Sequence, residues 1–498
     1  MDSLIAALRA VMTPGCLILM VIGVAVGIVF GAMPGMSATL AISVFMSIVY
    51  AMDITSCMSL LMALYIGAIS GGLISAILIN IPGTPSSVAT TFDGAPMAAK
   101  GQAAKALGVG IVFSFIGTVI STVALIFLAP TLASVAIKFG PYEYFAVTAC
   151  SLLLVAGLSG KSLAKGTISA LIGLAAGLIG CAPVDGTFRF TFGISALKAG
   201  LNAVPVMVGL FAFPELLRYA KKELVLEAKE VPKFHGFGFS VKEFFGQTWN
   251  CVRSSFIGLS IGILPGIGGG TSNLLSYAAA KNSAKGEKKK QFGQGIMDGV
   301  VASEAANNAS IGGAMIPLLS LGIPGDGVTA ILMGAFTMKG LNLGPLFFKN
   351  YPQVGYTIYI AMAISAVLMV ALEYFCMRGF VKIMACPLRM LLPPVMFICA
   401  IGAFTSTNTN LSLWVLLVFG LLGFALGEFG VPLAPMIIGF VLGPTSELYM
   451  RRGFQMSGGS LLPFITESKI AACIYIVAAC FIVWKLVSSV RKAGVSQT

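Results

Sequence analysis

The sequence predicts an all-α, polytopic membrane protein with about 12 transmembrane helical spans arranged as two structural repeats. Of its 498 residues, 57% are hydrophobic and only 10% are charged, whereas soluble proteins carry about 25% charged residues. Apolar runs recur along the whole chain, and those at 107–135, 353–377 and 470–488 are long enough to cross a bilayer. Other runs are short and interrupted by Gly or Pro, which is typical of broken helices and re-entrant hairpins.

Two charged stretches divide the apolar sequence. Residues 218–243 hold six Lys or Arg, and residues 281–290 hold five Lys. Positive loops are expected on the cytoplasmic side, so the net charge of +13 does not indicate nucleic-acid binding. We divide the chain into an N-terminal transmembrane repeat (1–217), a basic cytoplasmic linker (218–250), a C-terminal transmembrane repeat (251–469), and a final span with a cytoplasmic tail (470–498).

The residue types that catalysis or metal binding would need are scarce. The ten cysteines include no C-x-x-C pair, and the single histidine, His235, lies in a charged loop. We therefore expect no metal, no cofactor and no enzymatic activity. The sequence also contains no Walker A motif, which excludes an ATP-driven pump within this chain.

An internal duplication is visible in four Pro-Gly pairs. Each half has one pair near its start and a second pair about 50 residues later, and Gly71 and Gly313 each lie eleven residues before the second pair. Duplicated halves with helix breaks at corresponding positions point to a transporter site, and we expect the halves to be inverted. The pairs are Pro34-Gly35 and Pro82-Gly83 in the first half, and Pro265-Gly266 and Pro324-Gly325 in the second.

Each Pro-Gly pair should break a helix, because Pro lacks an N–H group and Gly permits unusual dihedral angles. A helix that restarts after the break presents free N–H groups and a partial positive charge, which suits an anion. Hydroxyl and amide side chains near the breaks add neutral donors. The candidate substrate-binding residues are Pro34, Gly35, Ser37, Thr39, Asn80, Pro82, Gly83, Thr84, Ser86, Ser87, Pro265, Gly266, Thr271, Ser272, Asn273, Asn307, Asn308, Pro324 and Gly325.

Two carboxylates are candidates for a coupling cation. Glu304 should share a helix face with Asn307 and Asn308, and the alternative is a purely structural hydrogen-bonded cluster. Asp326 follows the last Pro-Gly pair and would serve equally well as a helix cap. Moving an anion inward against the membrane potential costs about 2.3 kcal/mol per charge per 100 mV. Uptake of an anion therefore predicts co-transported Na⁺ or H⁺.

These segments resemble the large membrane subunit of the tripartite tricarboxylate transporter family. The resemblance rests on the four Pro-Gly segments, on Asp93-Gly94-Ala-Pro96-Met97 with Lys100-Gly101, and on Glu304-Ala-Ala-Asn307-Asn308. It implies an inner-membrane subunit that takes up a citrate-like, dicarboxylic or aromatic acid in a bacterium. It also implies a periplasmic solute-binding protein and a small membrane subunit of about four spans as partners.

Two alternatives remain open from the sequence. The chain would be a carboxylate carrier that works without a binding protein, or a passive anion channel or exporter. Saturable uptake that depends on Na⁺ or protons separates coupled transport from a channel.

Overall fold

The computed structural model describes residues 2–34, 36–158, 162–220, 236–266, 268–384 and 388–495. Of the candidate site residues, Gly35 lies outside these ranges. His235 and residues 221–235 of the basic linker also lie outside them.

The described chain is built almost entirely of helices. The first half contains α1 (Asp2–Val11), α2 (Pro14–Ala32), α3 (Ala38–Val49), α4 (Ile54–Leu78), α5 (Val88–Met97), α6 (Ala103–Ala136), α7 (Pro141–Leu158), α8 (Leu163–Gly177) and α9 (Ala203–Ala220). A 3₁₀ turn (Pro85–Ser87) precedes α5, and a π-helical turn (Ala98–Gln102) joins α5 to α6. Between α8 and α9 lie the antiparallel strands β1 (Gly180–Cys181) and β2 (Phe188–Arg189) and a 3₁₀ turn (Ser195–Ala199).

The second half repeats this mixture of long and short helices. It contains α10 (Val241–Gly246), α11 (Thr248–Ile263), α12 (Gly268–Ser283), α13 (Glu287–Gln291), α14 (Met297–Leu321), α15 (Gly327–Met338), α16 (Phe347–Asn350), α17 (Pro352–Met384), α18 (Leu388–Thr405), α19 (Asn410–Glu428), α20 (Ala434–Met456), α21 (Pro463–Thr466) and α22 (Lys469–Val495).

Several of these helices are long and apolar enough to cross a bilayer. By length and composition there are five within the described residues: Pro14–Ala32, Ile54–Leu78, Pro85–Ala136, Pro352–Ile383 and Asn410–Glu428. Shorter apolar helices accompany them, including Ala38–Val49 and Gly327–Met338. The chain is therefore a multi-pass, all-α membrane protein, and the figure of about 12 spans stays a prediction.

Close helix packing depends on glycines that face another backbone. Gly27 of α2 lies against the backbone of α4 at Leu64, and Gly117 of α6 lies against α14 at Ala305. Gly258 of α11 meets α14 at Ala306. Inside a bilayer the hydrophobic effect does not drive helices together, so small residues that permit backbone contact stabilise the interfaces instead.

Two rims mark the ends of the helix bundle. At the basic rim, Lys105 at the start of α6 pairs with Glu243, and Lys288 pairs with Asp298 at the start of α14 with an N–O distance of 2.7 Å. Both α6 and α14 end at a second rim, where Leu321 lines a cavity together with Phe139. α6 alone, at 34 residues, is about 50 Å long, so the two rims lie on opposite sides of a bilayer.

Helix packing predicts opposite effects for two Gly→Ala changes, one in the α6–α14 interface and one on an exposed face of α17. In Gly117→Ala the new Cβ meets the Ala305 backbone, and we expect a loss of stability of about 1–3 kcal/mol. In Gly379→Ala, on the exposed side of α17, the Cβ meets no atom within 4 Å, and better helix propensity should stabilise by up to about 1 kcal/mol. Thermal unfolding of the purified variants in detergent measures both. Equal destabilisation would contradict the packing.

Candidate functional site

Four breaks in the helices come together inside the bundle. In the described residues, break 1 comprises 33–34 and 36–37, break 2 comprises 79–87, break 3 comprises 264–266 and break 4 comprises 322–326. In break 2, Gly83 packs against Gly72 in the interior of α4. In break 4, Gly325 packs against Ala314 in the interior of α14. The breaks therefore lie alongside the interior of these helices.

Breaks within the same half contact each other in the same way. A Cβ at Gly83 of break 2 would overlap the Gly31 carbonyl at the end of α2. A Cβ at Gly325 of break 4 would come within 2.6 Å of the Gly262 carbonyl oxygen at the end of α11. The Gly266 N–H also donates to the Gly325 carbonyl at 2.8 Å. Only glycine fits these close approaches, which explains the Pro-Gly pairs.

Breaks from different halves close the arrangement into a ring. The Asn273 side-chain amide of α12 donates to the Ser86 carbonyl in break 2. A Cβ at Gly269 would lie 2.9 Å from the Ser86 hydroxyl oxygen. A Cβ at Gly327, after break 4, would lie 3.3 Å from the Thr39 methyl carbon, after break 1. We call the four breaks and the helix starts that follow them the break ring.

The helix starts on the ring differ in how they are capped. Ser37 caps α3 by accepting from the Leu40 N–H at 3.1 Å, and Asp326 caps α15 by accepting from the Thr329 N–H at 2.8 Å. The Thr84 N–H donates to the Ser87 hydroxyl at 3.2 Å. By contrast, α12 begins Gly268-Gly269-Gly270 after Ile267, a residue with no side-chain acceptor. Its first N–H groups are the ones best placed to meet an external anion.

Neutral polar groups surround the start of α12. A Cβ at Gly269 would lie 3.0 Å from both the Asn307 side-chain oxygen and the Ser310 hydroxyl. The side-chain oxygens of Thr84, Asn273 and Asn307 are buried and have no hydrogen-bond partner among the residues that the structure describes. Buried polar atoms normally have partners, so these atoms indicate a place for a polar ligand, an ion or water. We call this side of the ring the amide side.

The part of the ring next to the α12 start is acidic, and a Cβ at Gly268 would lie 3.4 Å from the Asp326 Cβ. Asp326, which is 9% exposed, accepts a hydrogen bond from the Tyr65 hydroxyl of α4 at 2.8 Å. Ser37 donates to the two oxygens of Glu215 on α9 at 3.1 and 3.2 Å and lies 2.6 Å from the Thr39 hydroxyl. Asp326 and Glu215 thus face breaks 4 and 1, and we call this the acidic side.

The structure brings together some of the residues predicted from the sequence and separates others. Pro324, Gly325, Pro34 and Gly83 are buried at the ring, while Pro82 and Pro265 are half-buried. Asn80 and Thr271 also belong to these segments, but both are exposed. The Ser272 hydroxyl donates within its own helix to the Gly269 carbonyl at 2.8 Å.

Glu304 lies in a buried cluster beside the ring. It accepts hydrogen bonds from Thr90 of α5 and from Ser114 of α6, the latter at 3.0 Å. Asn308 donates to the same Ser114 hydroxyl at 2.8 Å, whereas Asn307 reaches the Ile69 carbonyl of α4 at 3.4 Å. Glu304 and Asn308 therefore belong to one hydrogen-bonded group, and Asn307 borders the ring.

Tyr65 and Glu215 are site residues that the sequence analysis missed. Glu215 carries a signal, because it is a carboxylate inside the apolar run 201–217 and intramembrane carboxylates are functional by default. Tyr65 carries none, since a tyrosine in an apolar helix is ordinary.

A cavity of about 900 Å³ opens at the second rim above the acidic side. Its lining includes Arg189, Lys198 and Glu447, together with Pro205 of α9 and Met333 of α15. Pro205 is ten residues before Glu215, which is about 15 Å along a helix. The cavity and the acidic side are thus connected by two shared helices.

The charges at the mouth of this cavity are mostly paired. Arg189 makes a two-pronged ion pair with Glu447 at 2.5 and 2.9 Å, and Arg451 pairs with Asp185 at 2.8 Å. The hydrogen bond from Arg451 lowers the pKa of Asp185 to about 2, so this pair stays ionised at neutral pH. The Lys198 ammonium lies 5.4 Å from the Phe188 ring centre, in a cation–π contact at the exposed surface.

Comparisons with known proteins cover nearly the whole chain. Residues 17–438 match the model of the "Tripartite tricarboxylate transporter TctA family". An Agrobacterium vitis protein described as "Uncharacterized 52.8 kDa protein in TAR-I ttuC' 3'region" is 35% identical over 481 residues, covering 97% of this chain and 95% of the relative. A second, "Uncharacterized protein in TAR-II ttuC' 3'region", is 35% identical over 235 residues, covering 47% and 96%. No solved structure matches the chain.

The contact between break 2 and the start of α12 predicts a specific cross-link. A Cβ at Gly270 would lie 3.8 Å from the Pro85 Cβ, which is the usual separation in a disulfide. Pro85→Cys combined with Gly270→Cys, in a variant without native cysteines, should therefore oxidise to an intramolecular disulfide.

The matched control pairs Pro85→Cys with Thr271→Cys, because the next position on α12 points about 100° away. Gel mobility after oxidation, with mass spectrometry of the linked peptide, reads out both pairs. Equal cross-linking of the two pairs, or none of the first, would disprove the arrangement.

Proposed function

Because this chain belongs to the tripartite tricarboxylate transporter TctA family, we propose that it carries a small carboxylate across the bacterial inner membrane, driven by Na⁺ or H⁺. The observation that carries this proposal is the break ring, in which the glycine-rich start of α12 and the carboxylates of Asp326 and Glu215 come together. The amide side offers neutral donors to an anion, and the acidic side offers carboxylate and hydroxyl oxygens to a cation.

The amide side of the ring is where we place the carboxylate of the substrate. The N–H groups of Gly269 and Gly270 and the partial positive charge of α12 would bind one carboxylate. The Ser86 and Thr84 hydroxyls would donate to it, and Asn307 would orient it. Neutral donors that are already buried avoid the cost of an unpaired Lys or Arg at membrane depth.

The acidic side of the ring is where we place the coupling cation. Asp326 and Glu215, with the Ser37 and Thr39 hydroxyls, offer oxygen ligands that suit Na⁺ or accept a proton. Of the two carboxylates expected from the sequence, Asp326 is better placed for this role, because it lies in break 4 itself, whereas Glu304 lies beside the ring among Thr90 and Ser114.

We further propose that the two halves are inverted repeats. The carbonyls of Tyr50 and Met52, just before α4, accept from Lys339, just after α15, while α14 starts beside the Lys288–Asp298 pair at the basic rim. α4 and α14 would then run in opposite directions through the bilayer. The matching contacts of Gly83 and Gly325 support the same interpretation. Inverted halves that rock around a shared site are the usual basis of alternating access.

The cavity at the second rim is the proposed point of delivery. We assign this rim to the periplasm, because the lysine-rich loops at the other rim should face the cytoplasm. A periplasmic binding protein would release its carboxylate beside Arg189 and Lys198, from where it passes along α9 and α15 to the ring. The small membrane subunit would pack against the apolar outer face of the bundle.

The proposal is tested by reconstituting the chain with its small membrane subunit in liposomes. We expect uptake of radiolabelled citrate, succinate or benzoate that saturates, needs the purified binding protein, and requires a Na⁺ or pH gradient. Uptake without a binding protein would favour a stand-alone carrier. Non-saturating flux without a cation gradient would favour a channel and contradict the proposal.

The amide side predicts different outcomes for two neighbouring polar residues. Asn307→Ala removes a side chain that borders the Gly269 backbone, and we expect exchange of radiolabelled substrate to fall by about tenfold. Thr271→Ala removes an exposed hydroxyl from the same helix start and should leave exchange unchanged. Initial exchange rates in liposomes, normalised to inserted protein, measure both. Loss of exchange in Thr271→Ala alone would contradict the assignment.

A further inference from the structure

Glu373 is a fully buried carboxyl group in α17 that takes no part in the break ring. Its relative exposure is 0%, and neither carboxyl oxygen has a hydrogen-bond partner among the described residues. In the described part of the chain, the Ser70 hydroxyl of α4 is the one donor beside it, and it does not reach full hydrogen-bonding geometry with either oxygen. Asp326 and Glu304 each accept well-formed hydrogen bonds, so Glu373 is the least stabilised of the three as an anion.

Burial without a partner determines the charge state of this group. An ionised carboxylate removed from water and given no well-formed hydrogen bond carries a large desolvation penalty, and such a group takes up a proton instead. A second acid lies within electrostatic reach, namely Glu304 on α14. Because Glu304 accepts from Thr90 and Ser114, it is the better stabilised of the two as an anion. The proton of the pair therefore belongs on Glu373.

Other titratable groups near α17 do not change this picture. Glu304 is the charged group that acts on Glu373. Arg378, five residues further along α17, is exposed. The remaining titratable groups on the helices that pack against α17 are Asp2, Arg9, Cys16, Cys57, Tyr65, Lys105 and Lys349.

The position of Glu373 connects it to both the substrate site and the basic rim. Its neighbour Glu304 is one helical turn from Asn307, which borders the amide side. The next residue of α17, Tyr374, has its ring 5.0 Å from that of Phe237, which enters the segment leading to Glu243 at the basic rim. Glu373 thus lies between the ring and the rim that we assign to the cytoplasm.

We propose that Glu373 is a proton-binding site that couples H⁺ movement to carboxylate uptake. The inference rests on the proposed function and names its cation as a proton. In the conformation described here the carboxyl group is neutral. When the basic rim opens, the O–H bond of Glu373 breaks and the proton passes to a water molecule, which leaves as hydronium. In the opposite conformation the carboxylate left behind takes a proton from hydronium that enters from the periplasmic side, and a water molecule is released.

The test compares wild type with Glu373→Gln in liposomes that also contain the small membrane subunit. Gln keeps the size of Glu but cannot release a proton. We expect exchange of radiolabelled citrate to persist, while accumulation driven by a pH gradient falls by about tenfold or more. Acidification of the liposome interior during uptake, read by an entrapped pH dye, should disappear. Glu373→Asp should restore part of the proton movement.

The matched control is Glu428→Gln, which changes an exposed carboxylate at the end of α19. It should behave as wild type in every assay. Accumulation driven by a pH gradient that survives in Glu373→Gln would overturn the proposal. So would uptake in wild type that follows a Na⁺ gradient with no proton movement.

Infrared spectroscopy keeps the inference testable if no transport is seen at all. Absence of exchange in wild type would count against the proposed function and not against the charge state of Glu373. The carbonyl stretch of a protonated carboxyl group should be present in the wild-type protein and reduced in Glu373→Gln. An identical band in both proteins would refute protonation at this residue.

Discussion

The structure depends on one constraint, which is that every backbone group freed by a helix break inside a bilayer must find a partner within the protein. Each Pro-Gly pair releases such groups in the interior of the bundle. The Gly266 N–H meets the Gly325 carbonyl, and Ser37 and Asp326 cap the helices that restart. Some groups are satisfied within a break, as in break 2, where Thr84 and Ser87 bond each other. Others need a neighbouring segment, and the resulting close approach explains why the glycines at positions 83 and 325 admit no side chain.

The same constraint gives the break ring its two electrical characters. A helix start with a side-chain cap has its N–H groups satisfied, and the cap leaves an acid or a hydroxyl at the ring. A helix start built from Gly268, Gly269 and Gly270 has no side chain in these three residues that could cap it. Its helix dipole therefore remains available to a bound anion. Asp326 adjoins the α12 start, since a Cβ at Gly268 would lie 3.4 Å from the Asp326 Cβ, so substrate charge and cation charge can be brought in together. Binding both at once reduces the net charge that must cross the membrane.

Much of this site could be predicted from the sequence, because Pro-Gly pairs report backbone breaks directly. The sequence could not predict which residues of the restarting helix face the ring and which face away. Thr271 follows Gly270 by one residue, which turns it about 100° to the exposed side of α12. Contacts between distant helices were equally hidden: Tyr65 and Asp326 are 261 positions apart, and nothing local indicates that they meet. Glu215 and Glu373 stood out only as single acids in apolar runs, and their surroundings decide what each can do.

The four acids differ in the number of hydrogen-bond donors that each receives, and this difference determines how well each can hold a negative charge. Asp326 and Glu215 receive hydroxyl donors and face the ring, so a mobile cation can join them there. Glu304 receives two hydroxyl donors beside the ring, whereas Glu373 accepts no well-formed hydrogen bond from the described residues. Of these two acids, Glu304 is therefore the better stabilised as an anion. In the proposed cycle the proton leaves Glu373 toward the basic rim. Substrate binding would act on Glu373 through α14, because α14 carries both Asn307 and Glu304.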